Sequence, residues 1–318
     1  MVLAIRSYEL SVGYEVDEGL VWVVDRLSLE VGVGESYCLV GESGCGKSTI
    51  GNTIAGLLPP HAVTDGILEL VGVKAVEGRL RRFNGLRGRV VVRIPQDPAA
   101  SLNPFLTVGE QLEEVLKAHL GQLTEAEARK RVQQLLSLVK LPPEVAETYP
   151  HQLSGGMKQR VAIALALAPS PKVVVADEPT SALDAYLKFS IARLLKTLQL
   201  ALGLTLIFIT HDLTLARYVC DRVAVVYAGR VVEEARTVDI LEGAVHPYTK
   251  LLLRAVPRRL NRVRLGDIPG APPPPGRYPP GCRFRPRCPI ASEECAKDPE
   301  VVVVGEGHRV YCWNWRSG

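Results

Sequence analysis

The stretch GESGCGKST, Gly41 to Thr49, fits G-x-x-x-x-G-K-[ST] and dictates what must flank it. An apolar run, SYCLV, precedes it, and KSTIGNTIAGLL follows with an apolar face, stopped by Pro59 and Pro60. Strand, glycine loop and helix in that order make a phosphate cradle. Glycines let backbone N–H groups curl around phosphate oxygens, and the helix points its positive end at the same anions. Gly41, Glu42, Ser43, Gly44, Cys45, Gly46, Lys47, Ser48 and Thr49 form this cradle. Lys47 is expected to reach the outer phosphates, and Ser48 to offer its hydroxyl to Mg²⁺. Cys45 has two readings: a small residue tolerated at a variable position, or a thiol made reactive by the local field.

A second apolar run, VVVADE, carries Asp177 and Glu178 to a strand end, where open α/β sheets bind ligands. Asp177 is expected to hold Mg²⁺, and Glu178 to polarise the attacking water. Other buried strands read from RVVVRIPQDP, LTLIFITHD and RVAVVYAGRVVE, alternating with helices, as in a parallel α/β sheet. Residues 1–40 alternate apolar and polar, as antiparallel strands do. Residues 107–140 have helical spacing, with a Thr cap and a Glu three residues on in TEAEARKRVQQLLSLV. They read as an inserted helical unit.

The net charge of +4 argues for neither nucleic acid nor anionic lipid as a partner. The basic runs RLRR (79–82) and RRLNRVR (258–264) read as solvated face or linker. No run reaches the ~18 apolar residues of a membrane span, and the first residues lack the features of a signal peptide. A cytoplasmic location is expected, with any membrane spans supplied by other subunits.

Three further motifs narrow the reading: LSGGM (153–157) before a helix, SALD (181–184) after the acidic strand, and THD (210–212) ending another. With Gln96 in IPQDP, their order resembles the nucleotide-binding subunits of ABC transporters over about residues 1–255. The resemblance implies a P-loop ABC ATPase with a RecA-like core, an N-terminal antiparallel β subdomain and a helical subdomain at about 97–160. It implies ATP sandwiched between two subunits. Ser154, Gly155 and Gly156 of one subunit would meet the γ-phosphate on the other, and Asp184 would act across the interface. Gln96 would contact Mg²⁺ and the attacking water, and His211 the γ-phosphate. An N-terminal aromatic would stack on adenine, Tyr14 first and Trp22 second. QDPAASLNPFLTVGEQL, YPHQLSGGMKQRVAIALAL and HPYTKLLLRAVP are similar to the oligopeptide/dipeptide uptake group, which includes nickel and some oligosaccharide importers. That resemblance implies an ATP-hydrolysing importer subunit at the cytoplasmic membrane face, without nucleic acid. Its partners would be two membrane-spanning permeases and, indirectly, an extracytoplasmic substrate-binding protein. Met157, where many signatures have Gln, resembles one of two paralogous ATPases and implies a heterodimer. Lys188 stands where Gln is expected.

Beyond Pro257 the chain becomes Pro-rich, and residues 256–318 read as an arm with a short Cys-rich extension. Cys282, Cys288, Cys295 and Cys312 are spaced C-x5-C-x6-C-x16-C. A [4Fe–4S] cluster, zinc and disulfides all remain open for such a set. The wide gaps and the family resemblance favour the cluster, as a structural staple separate from the nucleotide core. Two other function classes compete: a soluble ABC ATPase working on nucleic acid or ribosomes, and an ATPase of iron–sulfur assembly. The first usually carries a coiled coil or two cassettes in one chain, and the second generally lacks the arm and HPYTK. Co-purifying permeases, against RNA or a scaffold complex, would separate them.

Overall fold

The computed structural model describes residues 2–121, 123–181, 183–255 and 268–316. The basic run 258–264, the border at Pro257 and Ala182 of SALD lie outside the described residues.

The chain starts with a long hairpin, β1 (Leu3–Val16) and β2 (Gly19–Gly32), followed by β3 (Ser36–Val40). Next come α1 (Lys47–Ala55), β4 (Ala62–Leu70), β5 (Val73–Glu77), β6 (Leu80–Arg81) and β7 (Val91–Ile94). Helices α2 (Pro98–Ser101), α3 (Val108–Leu120), α4 (Glu125–Leu138) and α5 (Gly155–Leu167) lead to β8 (Val173–Asp177) and α6 (Ala185–Leu202). The core finishes with β9 (Thr205–Thr210), α7 (Leu213–Val219), β10 (Arg222–Tyr227), β11 (Arg230–Arg236), α8 (Thr237–Gly243) and α9 (Pro247–Ala255). A last hairpin, β12 (Val301–Gly305) and β13 (His308–Tyr311), lies in the extension.

Two sheets form. One is antiparallel, in the order β2-β1-β4-β5-β6, and the other runs β12-β13-β11-β10-β3-β9-β8-β7. The second is parallel from β10 to β7 and antiparallel from β10 outwards. The expected parallel sheet is therefore mixed. The extension's hairpin continues it, through Glu233↔Val310 and Glu234↔Arg309.

The central strands are apolar throughout because both faces are covered. Period-two alternation divides them between two cores. Cys38, Val40, Val174, Ala176, Leu206 and Phe208 face the helical side, packed with α3 to α6. Tyr37, Leu39, Val173, Val175, Ile207 and Ile209 face α1 and the antiparallel sheet.

Helix α1 ends earlier than Pro59 and Pro60 suggest, because Gly56 takes a left-handed C-cap at φ 70°. Both α3 and α4 open on capping boxes, Thr107 with Glu110 and Thr124 with Glu127. The first of these is an N-terminus that the reading of 107–140 did not single out. Cys38 and Cys220, 182 positions apart, are joined by a disulfide, with Cα atoms 5.7 Å apart. Among the described residues, no helix is long and apolar enough to cross a membrane.

Candidate functional site

Strand β3 delivers the glycine loop at its C-terminal end, and α1 leaves from the loop. Gly41 is required by space: a Cβ there would stand 2.2 Å from the Val226 carbonyl oxygen. Gly46 is required by conformation, as the N-cap of α1 at φ 100°. Lys47 is 4% exposed, and its ammonium donates to the Gly41 and Glu42 carbonyls at 2.8 Å each. The cation is thus held inside the loop that an outer phosphate would fill.

Strand β8 brings Asp177 to the same end of the sheet. Ser48 donates to its Oδ1 at 3.0 Å, and Arg93, from β7, to its Oδ2 at 2.7 Å. Asp177 is 1% exposed, so its charge needs these partners. A hydroxyl and a carboxylate are hard oxygen donors that suit Mg²⁺, and the Arg93 guanidinium already shows that the place accepts a cation. Gln96, two residues past β7, is exposed.

Glu178 continues from β8 with φ 44°, a left-handed conformation that costs energy for a residue with a side chain. Its N–H donates to the Ile209 carbonyl at 3.0 Å, fixing it beside β9, which carries His211. Nδ1 of His211 is 3.3 Å from Oε2 of Glu178. The hydrogen bond with Glu178 raises the His211 pKa above the ordinary value, against partial burial. The same hydrogen bond lowers that of Glu178, aided by the nearby charges of Lys47 and Lys188. Lys188, the departure from the expected Gln, therefore stabilises the Glu178 carboxylate.

Lys47, Ser48, Asp177, Glu178 and His211 thus converge at one sheet edge. The signature does not join them. Ser154 caps α5, accepting from Met157 N–H at 3.3 Å, and Ser154 and Gly155 are exposed. Gly156 packs on Leu187, and Asp184 is the exposed N-cap of α6. Among the described residues, no hydrogen bond links Ser154, Gly155 or Gly156 to the glycine loop. Tyr14 lies on β1 with its ring 5.9 Å from that of His61, and Trp22 faces Gly13 on β2.

The reactive reading of Cys45 is corrected: the thiol is 2% exposed, and burial raises its pKa despite Lys47 beside it. Cys282, Cys288, Cys295 and Cys312 are all free thiols. Burial raises the pKa of Cys282 and Cys288 and pushes Cys312 up to about 12, with the neighbouring cysteines adding to it. Among the described residues, no three His, Cys, Asp or Glu side chains are gathered so as to hold a metal ion.

Two residues were missed in the sequence. Arg93 could have been noticed as a charge inside an apolar strand. Arg287, 7% exposed in the extension, grips Glu42 of the glycine loop at 2.7 and 3.0 Å. Its position gave no signal. The extension is therefore not separate from the nucleotide core.

The ABC transporter family model matches residues 24–181, and the oligopeptide/dipeptide transporter C-terminal region matches residues 232–295. The dipeptide transport ATP-binding protein DppD of Bacillus subtilis (strain 168) is 42% identical, over 98% of this chain and 94% of its own. The oligopeptide transport ATP-binding protein OppF of Salmonella typhimurium is 39% identical, over 96% and 94%. Among solved structures, the ATP-binding cassette MJ0796, dimeric in a post-hydrolysis state with ADP and Pi, matches at TM-score 0.64 and 32% identity. That match covers 73% of this chain and 98% of the cassette. The cbiO1 protein of Clostridium perfringens matches at TM-score 0.66 and 30% identity, over 77% and 93%. With its glycine loop, acidic strand and switch histidine so arranged, the chain belongs to the ATP-binding subunits of ABC transporters, in the branch that carries the oligopeptide/dipeptide transporter C-terminal region.

Proposed function

We propose that this chain hydrolyses ATP to drive peptide import. The observation that carries the reading is the meeting of Lys47, Ser48, Asp177, Glu178 and His211 at the ends of β3, β8 and β9. Kinship to dipeptide and oligopeptide transport proteins sets the cargo class.

The glycine loop and the N-terminus of α1 bind the triphosphate. Lys47 leaves its loop carbonyls for the outer phosphates. Ser48, Asp177 and Gln96 would hold Mg²⁺, which would supply neutralisation of the charge developing on the transferred phosphoryl group. Glu178, kept anionic, orients and polarises the attacking water, and His211 hydrogen-bonds the γ-phosphate. Tyr14 stacks on adenine, with Trp22 as second choice. Ser154, Gly155 and Asp184 are exposed, as a site completed on a second subunit requires, and Gly156 follows them at the start of α5. We assign that role to a paralogous ATPase, in a heterodimer. Two membrane-spanning permeases and, indirectly, an extracytoplasmic binding protein complete the importer, with this chain at the cytoplasmic membrane face and no nucleic acid bound. Residues 1–255 form the nucleotide-binding unit, with its helical part at about 97–160, and residues 256–318 the extension.

The four tail thiols are assigned to a [4Fe–4S] cluster in preference to zinc. Support comes from four unbridged thiols, with Cys282, Cys288 and Cys295 each near enough to act electrostatically on Cys312. Anaerobic protein should carry about four irons per chain. Stoichiometric zinc without iron would reject the cluster.

The decisive experiment reconstitutes the chain with its permeases and measures ATP hydrolysis. Stimulation by peptide-loaded binding protein supports the reading. Stimulation by sugar or nickel alone would move the cargo, and no ATP hydrolysis by any assembly would end it.

A further inference from the structure

Glu42, the second residue of the glycine loop, is held from three sides. Its N–H donates to the Tyr248 hydroxyl of α9 at 2.9 Å. Its carbonyl accepts from Lys47 at 2.8 Å. Its carboxylate takes both terminal nitrogens of Arg287. Two of these three holds come from residues C-terminal to every nucleotide motif.

The Arg287 side chain is only 4% exposed. Besides Glu42, it donates from Nε to the Pro269 carbonyl at 2.7 Å and from Nη2 to the Ile268 and Gly270 carbonyls, each at 3.2 Å. Nη1 also reaches the Tyr227 hydroxyl at 3.3 Å. Burial opposes the guanidinium charge, but the hydrogen bonds with Glu42 and Tyr227 outweigh it, so its pKa stands above the ordinary arginine value. Beneath it, Tyr227, Tyr248 and Phe284 pack with ring centroids 4.7 to 5.2 Å apart. All three guanidinium nitrogens donate to acceptors, most of them off this aromatic floor, so the fork cannot swing without breaking several bonds.

We infer that Arg287 of the C-terminal extension is a positioning residue for nucleotide binding, clamping Glu42 so that the glycine loop presents its N–H groups, and not an unpaired carboxylate, to the phosphates of ATP. The inference rests on the nucleotide-binding reading above. The chemistry is one of charge. A carboxylate beside a triphosphate repels it, and in this loop the carboxylate is neutralised by a two-point partner. Without that partner, Glu42 is free to turn its charge toward the ligand. A lysine cannot replace the grip, because an ammonium does not match a carboxylate at two points.

The test is direct binding of a fluorescent ATP analogue to the purified full chain, with thermal melting in parallel. Arg287→Met should weaken binding about tenfold, with KM raised more than kcat is lowered. Arg287→Lys, which keeps the charge, should fall between Arg287→Met and the parent. Adding Glu42→Gln to Arg287→Met should recover most of the lost affinity, since a neutral amide needs no counter-charge. A purely structural staple would lower the melting temperature without moving the dissociation constant, and that result overturns the inference. So does a loss that Glu42→Gln fails to recover, or an Arg287→Lys chain that binds like the parent. Failure of the unmodified chain to bind the analogue would instead overturn the nucleotide-binding reading, and this inference with it.

Discussion

Replacing both Cys38 and Cys220 with alanine removes a covalent link between residues 182 apart. The bond ties β3, which feeds the glycine loop, to the residue that caps α7, just beyond His211. Closing a loop of that length restricts the unfolded chain by about 5 kcal/mol on the chain-entropy account. Spread over the unfolding entropy of 318 residues, this lowers the melting temperature by about 8 °C. If the two sulfurs were instead packed thiols, each Cys→Ala change would cost only about 1 kcal/mol, and the two costs would add. A bonded pair behaves otherwise. Either single substitution breaks the link, so each single variant should lose nearly as much as the double. The assay is thermal melting of the parent, both single variants and the double, without reductant. Thiol counting in denaturant should find five reactive groups among seven cysteines. Seven thiols in protein never exposed to reductant, or two small additive losses, would refute the bond. The test is sharp because a disulfide runs against the usual redox rule for the cytoplasmic location proposed above.

Glu178→Gln should slow hydrolysis on the order of 10²-fold or more while ATP still binds, whereas Lys47→Ala should weaken binding itself; near-normal turnover in the first would move the base elsewhere. The His211 ring, followed by NMR, should titrate above the ordinary histidine value, and the midpoint should fall in Glu178→Gln. Because the folded pKa of His211 is raised, its pairing energy is complete below the ordinary histidine value and is lost as pH rises through the folded one. Because that of Glu178 is lowered, the acid limit is reached as pH falls through its own folded value. A histidine midpoint indifferent to Glu178 would show the contact is absent in solution. Arg93→Met frees Asp177, so the Mg²⁺ concentration for half-maximal hydrolysis should drop about two- to fivefold; an unchanged requirement would mean that Arg93 does not compete for that carboxylate.

Where a signal is local, the sequence disclosed it. The glycine loop must follow a strand and open a helix, and it does so between β3 and α1. The acidic pair sits at the end of β8 because an apolar run of that length is a buried strand. Long-range pairings left no such mark. Nothing within a few residues of Cys38 announces Cys220, and no periodicity connects Arg287 to Glu42. VVVVG falls in what read as an arm and a short Cys-rich extension, yet β12 and β13 add to the main sheet. That outcome depends on β11 offering an unpaired edge, a property of the assembled sheet. Cys45 had two readings in sequence, a tolerated small residue or a field-activated thiol; burial outweighs the field and decides against the second, and burial appears only once the loop is packed.

The clamp on Glu42 also has a meaning in time. Its two halves are 245 positions apart, and β3 lies between β9 and β10, both made much later. A ribosome adding 5 to 20 residues per second needs roughly 12 to 50 s to pass from one half to the other. For most of that interval the nascent glycine loop lacks its sheet neighbours, and for all of it the guanidinium. If Arg287 positions the loop as inferred, full affinity for nucleotide comes late, once nearly all of the chain has been made.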